Sequence, residues 1–433
     1  MAKPRQALRR LPVNAVHAAT RLGLVAALCL PAVAEAMSLP EAIALARQSN
    51  PTVAESNAEA DAASARLAQA HAGRLPSVVA SGQVGYGTLN LGGFFGFGSS
   101  DVTPWAAALE VRQPVYSGGA VTAAIDRARN ARDASLAKVA GARALLSARV
   151  AEAYVAVLTA RAFNALHEVQ VRHLAEIEAQ AELKFKDGET ARTELAQAEA
   201  RLADAHAGLA RATGDVARAR AHFITVVGAP PDALDPAPAA PATPATLDDA
   251  VASATRSSPA VLAAEASARA AEAGVRYAQA ERLPSVALSA KASGMRDQFF
   301  PGYQANGVTV GVEGRWTLFS GGLTSGRISE ARADVRAARS ALDDARAQVR
   351  EAVVGAWQDV ETARALVQAA SDQSAASASA LDSARNEVRV GQKPTVDLLD
   401  AERDALAANS AFIAARSEQV VDAYRLNALL RGE

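Results

Sequence analysis

Tyr116-Ser117-Gly118-Gly119 is answered 203 residues later by Phe319-Ser320-Gly321-Gly322. Working outward from this pair, Leu75-Pro76-Ser77 recurs as Leu283-Pro284-Ser285, and Asn50-Pro51 recurs as Ser258-Pro259. Leu39-Pro40-Glu41-Ala42 recurs as Leu247-Asp248-Asp249-Ala250; these three pairs share a shift of 208 residues. Downstream, Thr159-Ala160-Arg161 matches Thr362-Ala363-Arg364, and Gly188 matches Gly391. A period near 200 is far longer than a solenoid unit, so the chain reads as one large motif written twice. Each copy runs helix, two short strands, then a long helical hairpin.

The strands are read from period-two alternation. Val78, Ala80, Val84 and Tyr86 oppose Ser77, Ser81 and Gln83; Trp105, Ala107, Leu109 and Val111 oppose Glu110 and Arg112. Val286, Leu288, Ala290 and Ala292 oppose Ser289, Lys291 and Ser293; Val308, Val310, Val312, Trp316 and Leu318 oppose Glu313 and Arg315. The expected spans are about 77–88, 104–116, 285–294 and 307–319. Ten residues is what a tilted strand needs to cross a bilayer, with the apolar face on lipid and the other on water. Residues 89–103 and 295–306 are expected to be loops at a membrane rim. The glycine-rich run Gly92-Gly93-Phe94-Phe95-Gly96-Phe97-Gly98 lacks the Lys-Ser/Thr and following helix of a phosphate cradle.

Nothing breaks the helical pattern from Gly118 to about Lys184 or from Gly321 to about Val388. At 1.5 Å per residue, each is roughly 100 Å long. Each turns at a glycine, Gly188 or Gly391, and returns, so the hairpins span 118–228 and 321–430. The first returning helix places Leu195, Ala198, Leu202, Ala205, Leu209, Ala212, Val216, Ala219, Phe223 and Val226 at unbroken 3-4 spacing, the seam of a coiled coil. In the second, Gln419 and Asp422 interrupt that seam, and Leu399, Leu406, Ile413 and Val420 mark a neighbouring one. The repeats occupy 37–228 and 247–433, joined by a proline-rich linker over 229–246.

Half of the 433 residues are hydrophobic, yet aromatics make up only 4%. Alanine fills the difference, which suits long, closely packed helices better than a bulky enzyme core. Residues 1–36 read as a secretory signal: Lys3, Arg5, Arg9, Arg10 and Arg21, an apolar run from Leu22 to Val33, and Ala34-Glu35-Ala36 as the cleavage site. The mature chain then carries 40 basic and 45 acidic side chains, which is no nucleic-acid profile. The only cysteine of the sequence, Cys29, falls inside the signal behind Leu28, so neither a lipid anchor nor thiol chemistry is expected of the mature chain. His71, His167, His173, His206 and His222 are scattered, and no G-x-S-x-G elbow is present, so neither a metal, a cofactor nor catalysis is expected.

Four strands leave two open edges, which lipid does not tolerate, and small closed barrels need about eight strands. Several copies must therefore pool strands: two would supply eight, three would supply twelve.

The ordered set of strand pairs, Ser-Gly-Gly turns and glycine-tipped hairpins, in duplicate over essentially the whole mature chain, resembles the TolC family of outer-membrane efflux proteins. That resemblance implies an α+β membrane protein. A homotrimer would form a twelve-stranded transmembrane β-barrel continuous with a long periplasmic α-helical barrel. It implies a passive exit duct in the outer membrane of a Gram-negative bacterium. The partners implied are a periplasmic adaptor protein and an inner-membrane pump of the ABC or RND type.

Site residues also follow from the resemblance. Val390 to Asp400 resembles the family's aperture segment, so Asp397 and Asp400 would form carboxylate rings about the threefold axis. Lys393 would be a latch whose partner is the Thr193-Glu194 pair, and an aromatic that assists the latch is replaced by Val388. Lys186, Asp187 and Gly188, with Arg389, Gly391 and Gln392, would be the tips that dock the adaptor. Glu110, Arg112, Lys291, Glu313 and Arg315 would line the barrel lumen. Residues 188–202 look more like the type I secretion branch than the lipid-anchored drug-efflux branch. The competing readings are a structural or adhesive outer-membrane protein and a periplasmic coiled-coil adaptor.

Overall fold

The computed structural model describes residues 36–90, 92, 98–236, 238 and 240–430. The expected signal, apart from its final residue, and most of the Gly92–Gly98 rim lie outside the described residues.

The first half contains α1 (Leu39–Ser49), α2 (Pro51–Ala72), β1 (Ser77–Val84), β2 (Gly87–Asn90), β3 (Ser99–Val102), β4 (Trp105–Tyr116), α3 (Ala120–Lys186) and α4 (Arg192–Val227). The second contains α5 (Leu247–Ser257), α6 (Pro259–Ala280), β5 (Ser285–Arg296), β6 (Gln304–Arg315), α7 (Leu323–Arg389) and α8 (Thr395–Leu430). Corresponding helices have equal lengths of 11, 22, 67 and 36 residues.

Local chemistry sets the boundaries. Ser38 and Glu41 form a reciprocal capping box that opens α1. Proline forces the residue before it out of helical geometry, so Asn50 (ψ 125°) and Ser258 (ψ 129°) divide α1 from α2 and α5 from α6. Both hairpin tips close on the same left-handed glycine cap. Glu189 N–H donates to Lys184 O (2.8 Å) beside Gly188, and Gln392 N–H donates to Glu387 O (2.8 Å) beside Gly391.

Near the sheet α3 packs against α2 and α6, and farther out against α4 and α8; α7 packs against α6 and α8. Where α4 returns to α1, the core gathers Leu39, Val53, Val150, Tyr154, Val157, Phe223 and Val227. Its counterpart gathers Ala250, Val261, Val353, Val360, Leu426 and Leu430. In each half a serine hydroxyl donates to the last carbonyl of the returning helix: Ser49 to Val227 (3.3 Å) and Ser257 to Leu430 (2.7 Å). The Ala198, Ala205, Ala212 and Phe223 positions of the expected α4 seam are buried.

Four strands form one antiparallel sheet in the order β1-β4-β5-β6, leaving β1 and β6 as edges. Three expectations need correction. The span 89–103 is not all loop, because β2 and β3 make a small hairpin of their own. The first strand stops at Val84, where Gly85 N–H turns to Pro104 O (2.8 Å). The fourth ends at Arg315 and not near 319, because Arg315 already faces Ser285, the first residue of β5. Among the described residues no strand of the chain lies opposite Trp316 to Phe319.

Candidate functional site

Strand register sorts the sheet into two chemically distinct faces. Glu110 lies opposite Lys291, Arg112 opposite Ser77 and Ser289, Glu313 opposite Ala287, and Arg315 opposite Ser285. Directly paired residues share a face, so Glu110, Arg112, Lys291, Glu313 and Arg315 project from the same side. Arg112 and Glu313 approach to 3.9 Å across β5. The opposite face carries Val78, Val84, Trp105, Leu109, Leu288, Val308, Val310 and Val312. It is open to solvent in the single chain: Val308 and Val310 are each 76% exposed. Val79 breaks the expected pattern of the first strand, falling among the serines of the charged face.

At the other end of the molecule the hairpin tips are exposed. Lys186 pairs with Glu182 (2.7 Å) within its own helix, and Arg389 donates to Asn386 Oδ1 (2.8 Å). Asp187, Gly188, Gly391 and Gln392 form the turns. Within the single chain Lys393 finds a partner other than the expected Thr193-Glu194 pair. It pairs with Glu387 Oε2 at 2.7 Å within the same hairpin. The Glu387 hydrogen bond and charge, with a smaller contribution from Asp397, hold the Lys393 pKa above its usual value. Thr193 and Glu194 stand in the first turn of α4.

Asp397 is exposed in the first turn of α8. Asp400 is engaged: Arg201 of α4 approaches it to 3.3 Å and Arg403 to 3.7 Å. Of the two expected ring carboxylates, Asp400 is thus partly neutralised by its own chain. Val388 is a core residue, packed with Leu174, Ile177, Ala384, Leu398 and Leu399 between the two hairpins.

Beside that cluster lies a junction that the sequence reading missed. Glu402 of α8 is only 5% exposed. Its Oε1 accepts from Arg385 Nη2 (2.6 Å) and Nε (3.2 Å) of α7. Arg385 Nη2 also lies 2.9 Å from His173 Nδ1 of α3, and that nitrogen is 3.5 Å from Glu402 Oε2. A guanidinium cannot accept, so Nδ1 accepts and the ring proton is assigned to Nε2. One buried carboxylate therefore ties three helices, next to a groove of about 500 Å³ lined by Glu176, Lys184, Asn386 and Arg389. The signal was present: Leu398, Glu402 and Ala405 keep 3-4 spacing, so a charge occupies a seam position.

Asp422, which interrupts the seam equivalent to that of α4, is also buried, and Arg425 sits 3.3 Å away. Burial raises its pKa, with Arg425 opposing. A carboxyl that holds its proton more tightly when folded stabilises the fold below its unfolded pKa, and that contribution is lost as pH rises through the folded value. Asp422→Asn is therefore expected to melt higher than wild type at pH 7, with the gap closing as pH falls toward about 4. A lower midpoint at pH 7 would show that the Arg425 pair outweighs burial.

Among the described residues no cluster of His, Cys, Asp and Glu is placed to hold a metal, and no helix is long and apolar enough to cross a membrane.

The family model for outer membrane efflux proteins matches residues 42–229 and again 250–432. Outer membrane efflux protein BepC of Brucella suis is 34% identical over 276 residues, covering 63% of this chain and 60% of BepC, so the match spans less than two thirds of that relative. Two crystal structures share the fold. A membrane protein from Pseudomonas aeruginosa superposes with a TM-score of 0.79 at 20% identity, covering 91% of this chain and 90% of that one. The open state of the MtrE outer membrane channel of Neisseria gonorrhoeae gives 0.76 at 22%, covering 91% and 89%. With the family model matching both halves and most of the chain, the chain belongs to the outer membrane efflux protein family.

Proposed function

We propose that this protein is the passive exit duct of a tripartite export system. Three copies close a twelve-stranded barrel in the outer membrane, and their hairpins form a periplasmic tunnel that meets an adaptor and an inner-membrane pump of the ABC or RND type. The observation that carries this reading is the sheet. One face is exposed and apolar, the other charged, and both edges are open at the root of helices 67 residues long. Edge amides without partners are costly in lipid, so copies must join edge to edge. About 100 Å of helix exceeds any bilayer and must project into water.

In this assembly the charged sheet face lines the lumen and biases permeation without binding a ligand tightly. Asp397 carries the exposed carboxylate ring of the aperture, with Asp400 shielded by Arg201. Crowded like charges attract cations, so the ring both selects and gates. Lys393 and Glu387 stiffen the tip, which, with Lys186, Asp187, Arg389 and Gln392, offers the docking face for the adaptor. The type I secretion branch is favoured by residues 188–202.

The test is single-channel conductance of detergent-purified protein in planar bilayers. Wild type is expected to show small, cation-selective conductance that divalent cations block from the helical side. Asp397→Asn/Asp400→Asn is expected to lose most of that block, at least tenfold in half-blocking concentration. Folded, inserted oligomers that never conduct would favour a structural or adhesive role instead.

A further inference from the structure

Arg47, in the last turn of α1, is half-buried and has no counter-charge. Its Nη2 donates to Ser147 Oγ of α3 (3.1 Å). That is the one hydrogen bond its side chain makes among the described residues, and no carboxylate oxygen of theirs lies within 4.0 Å of it. Its Nε is buried and makes no hydrogen bond. A guanidinium carries five donors and does not give up its charge. Buried polar groups without partners are costly and buried charges more so, which is why they are ordinarily paired.

The repeated plan does not call for this arginine. The residue 208 positions later is Thr255 of α5, whose hydroxyl donates to Val251 O (2.8 Å) in its own helix. Yet α1 and α5 are equal in length, and each closes on its returning helix through the same serine contact. The first half therefore carries a charge that the architecture of the second does without.

Arg47 lines a cavity of about 250 Å³ where α1, α3, α8 and the proline-rich linker meet. Ile43, Ala144, Pro241 and Ala428 form its apolar wall, and no acidic side chain lines it. Two of its polar groups are already committed. The Ser147 hydroxyl donates to Arg143 O (2.9 Å) and accepts from Arg47. Asn427 Nδ2 donates to Ala423 O (2.9 Å) and to Ala242 O (3.2 Å). Tyr424 differs: its ring packs on the first-half core, and its hydroxyl makes no hydrogen bond among the described residues. Burial pushes its pKa up, so at neutral pH it stays a phenol with a proton to donate. The cavity thus offers one full positive charge, one hydroxyl donor and a wall of alkyl groups.

We propose that this cavity is a binding site for a small organic carboxylate. The carboxylate sits on the Arg47 guanidinium, accepts the Tyr424 hydroxyl proton in a hydrogen bond, and lays a short alkyl chain against the apolar wall. A guanidinium matches the planar geometry of a carboxylate, and hydrogen bonds between the two are charge-assisted. The cavity is smaller than the roughly 300–1,000 Å³ of drug-sized pockets, so the ligand is only a few heavy atoms long. A bare tetrahedral anion would answer the charge and leave the alkyl wall unfilled. Bound there, the ligand ties the first helix of the chain to the last. The site stands independently of what, if anything, the protein exports.

The probe is sodium butyrate, with butyramide as its uncharged counterpart and inorganic phosphate as the bare anion, all at constant ionic strength. A ligand that binds only the folded state raises the thermal midpoint as its concentration rises. Butyrate is expected to raise the midpoint of the detergent-purified protein, phosphate to raise it less, and butyramide to leave it where it was. Equilibrium dialysis with labelled butyrate is expected to give one molecule per chain. Arg47→Met keeps the alkyl stem and is expected to abolish both signals. Tyr424→Phe keeps the ring and is expected to weaken binding about tenfold, the value of one hydrogen bond to a charged group. It carries the test if Arg47→Met does not fold. No saturable butyrate binding by wild type, or binding that either variant leaves unchanged, would overturn the proposal. So would butyramide acting as strongly as butyrate, which removes recognition of the charge, or phosphate binding as tightly, which removes the carboxylate assignment.

Discussion

Arg385→Ala is expected to destabilise the protein by about 3 kcal/mol, read as a lowered thermal midpoint of the purified protein. The loss strands Glu402, which is buried and takes two hydrogen bonds from the guanidinium. Breaking a buried ion pair by removing one partner costs about 3–5 kcal/mol. The lower end applies because 41% of the Arg385 side chain remains in contact with water. His173 offers no replacement for the lost donors, since its Nδ1 is 3.5 Å from the carboxylate. Arg339→Ala supplies the contrast. Its pair with Glu272 (2.6 Å) links α7 to α6, with both side chains exposed, and should contribute less than about 1 kcal/mol. Arg385→Ala/Glu402→Leu should recover most of the loss, because the buried charge goes with its partner. If Arg385→Ala melted within error of Arg339→Ala, the buried pair would not hold α7 to α8.

Gly118→Ala is the second large effect. The residue sits at φ 60°, where a side chain costs about 1–2 kcal/mol. The added Cβ also lands within 3 Å of Leu283 Cβ and Ala280 O, and one of these is backbone that cannot rotate away. Overpacking of this kind adds about 1–3 kcal/mol. Gly119→Ala shares the left-handed backbone (φ 86°) without any contact within 4 Å, so it isolates the strain. The expectation is a clearly lower midpoint for Gly118→Ala and a mild effect for Gly119→Ala. Equal effects would mean that the α3–α6 joint yields easily.

Element type and order were legible because each rests on local chemistry. Asn50-Pro51 and Ser258-Pro259 mark breaks through the restriction that proline imposes on its predecessor, and Gly188 and Gly391 mark the tips through their left-handed caps. The alternation in β4 and β6 put Glu110, Arg112, Glu313 and Arg315 on one face because side chains of a strand alternate whatever its partner is. Strand ends were less legible. Trp316 and Leu318 continue the alternation of β6, yet pairing inside the chain stops at Arg315, since a ladder lasts only as long as its partner. The β2–β3 hairpin was hidden because four-residue strands carry too little pattern to be distinguished from loop.

At the tips, side-chain partners escaped the sequence altogether. Lys393 could have reached either hairpin, and only the packed geometry sets it on Glu387. Arg201 and Asp400 are 199 residues apart in the chain, and no local pattern announces their contact. Glu402 sat in plain view at a seam position, but whether a seam carboxylate meets water or a guanidinium depends on how two hairpins come together. By itself the sequence determined the duplicated plan, the helix lengths and the two faces of the sheet, because periodicity, proline and glycine act over a few residues. Which charges pair, where the ladder ends and which edges remain open were decided only in the tertiary structure, because those are contacts between segments hundreds of residues apart.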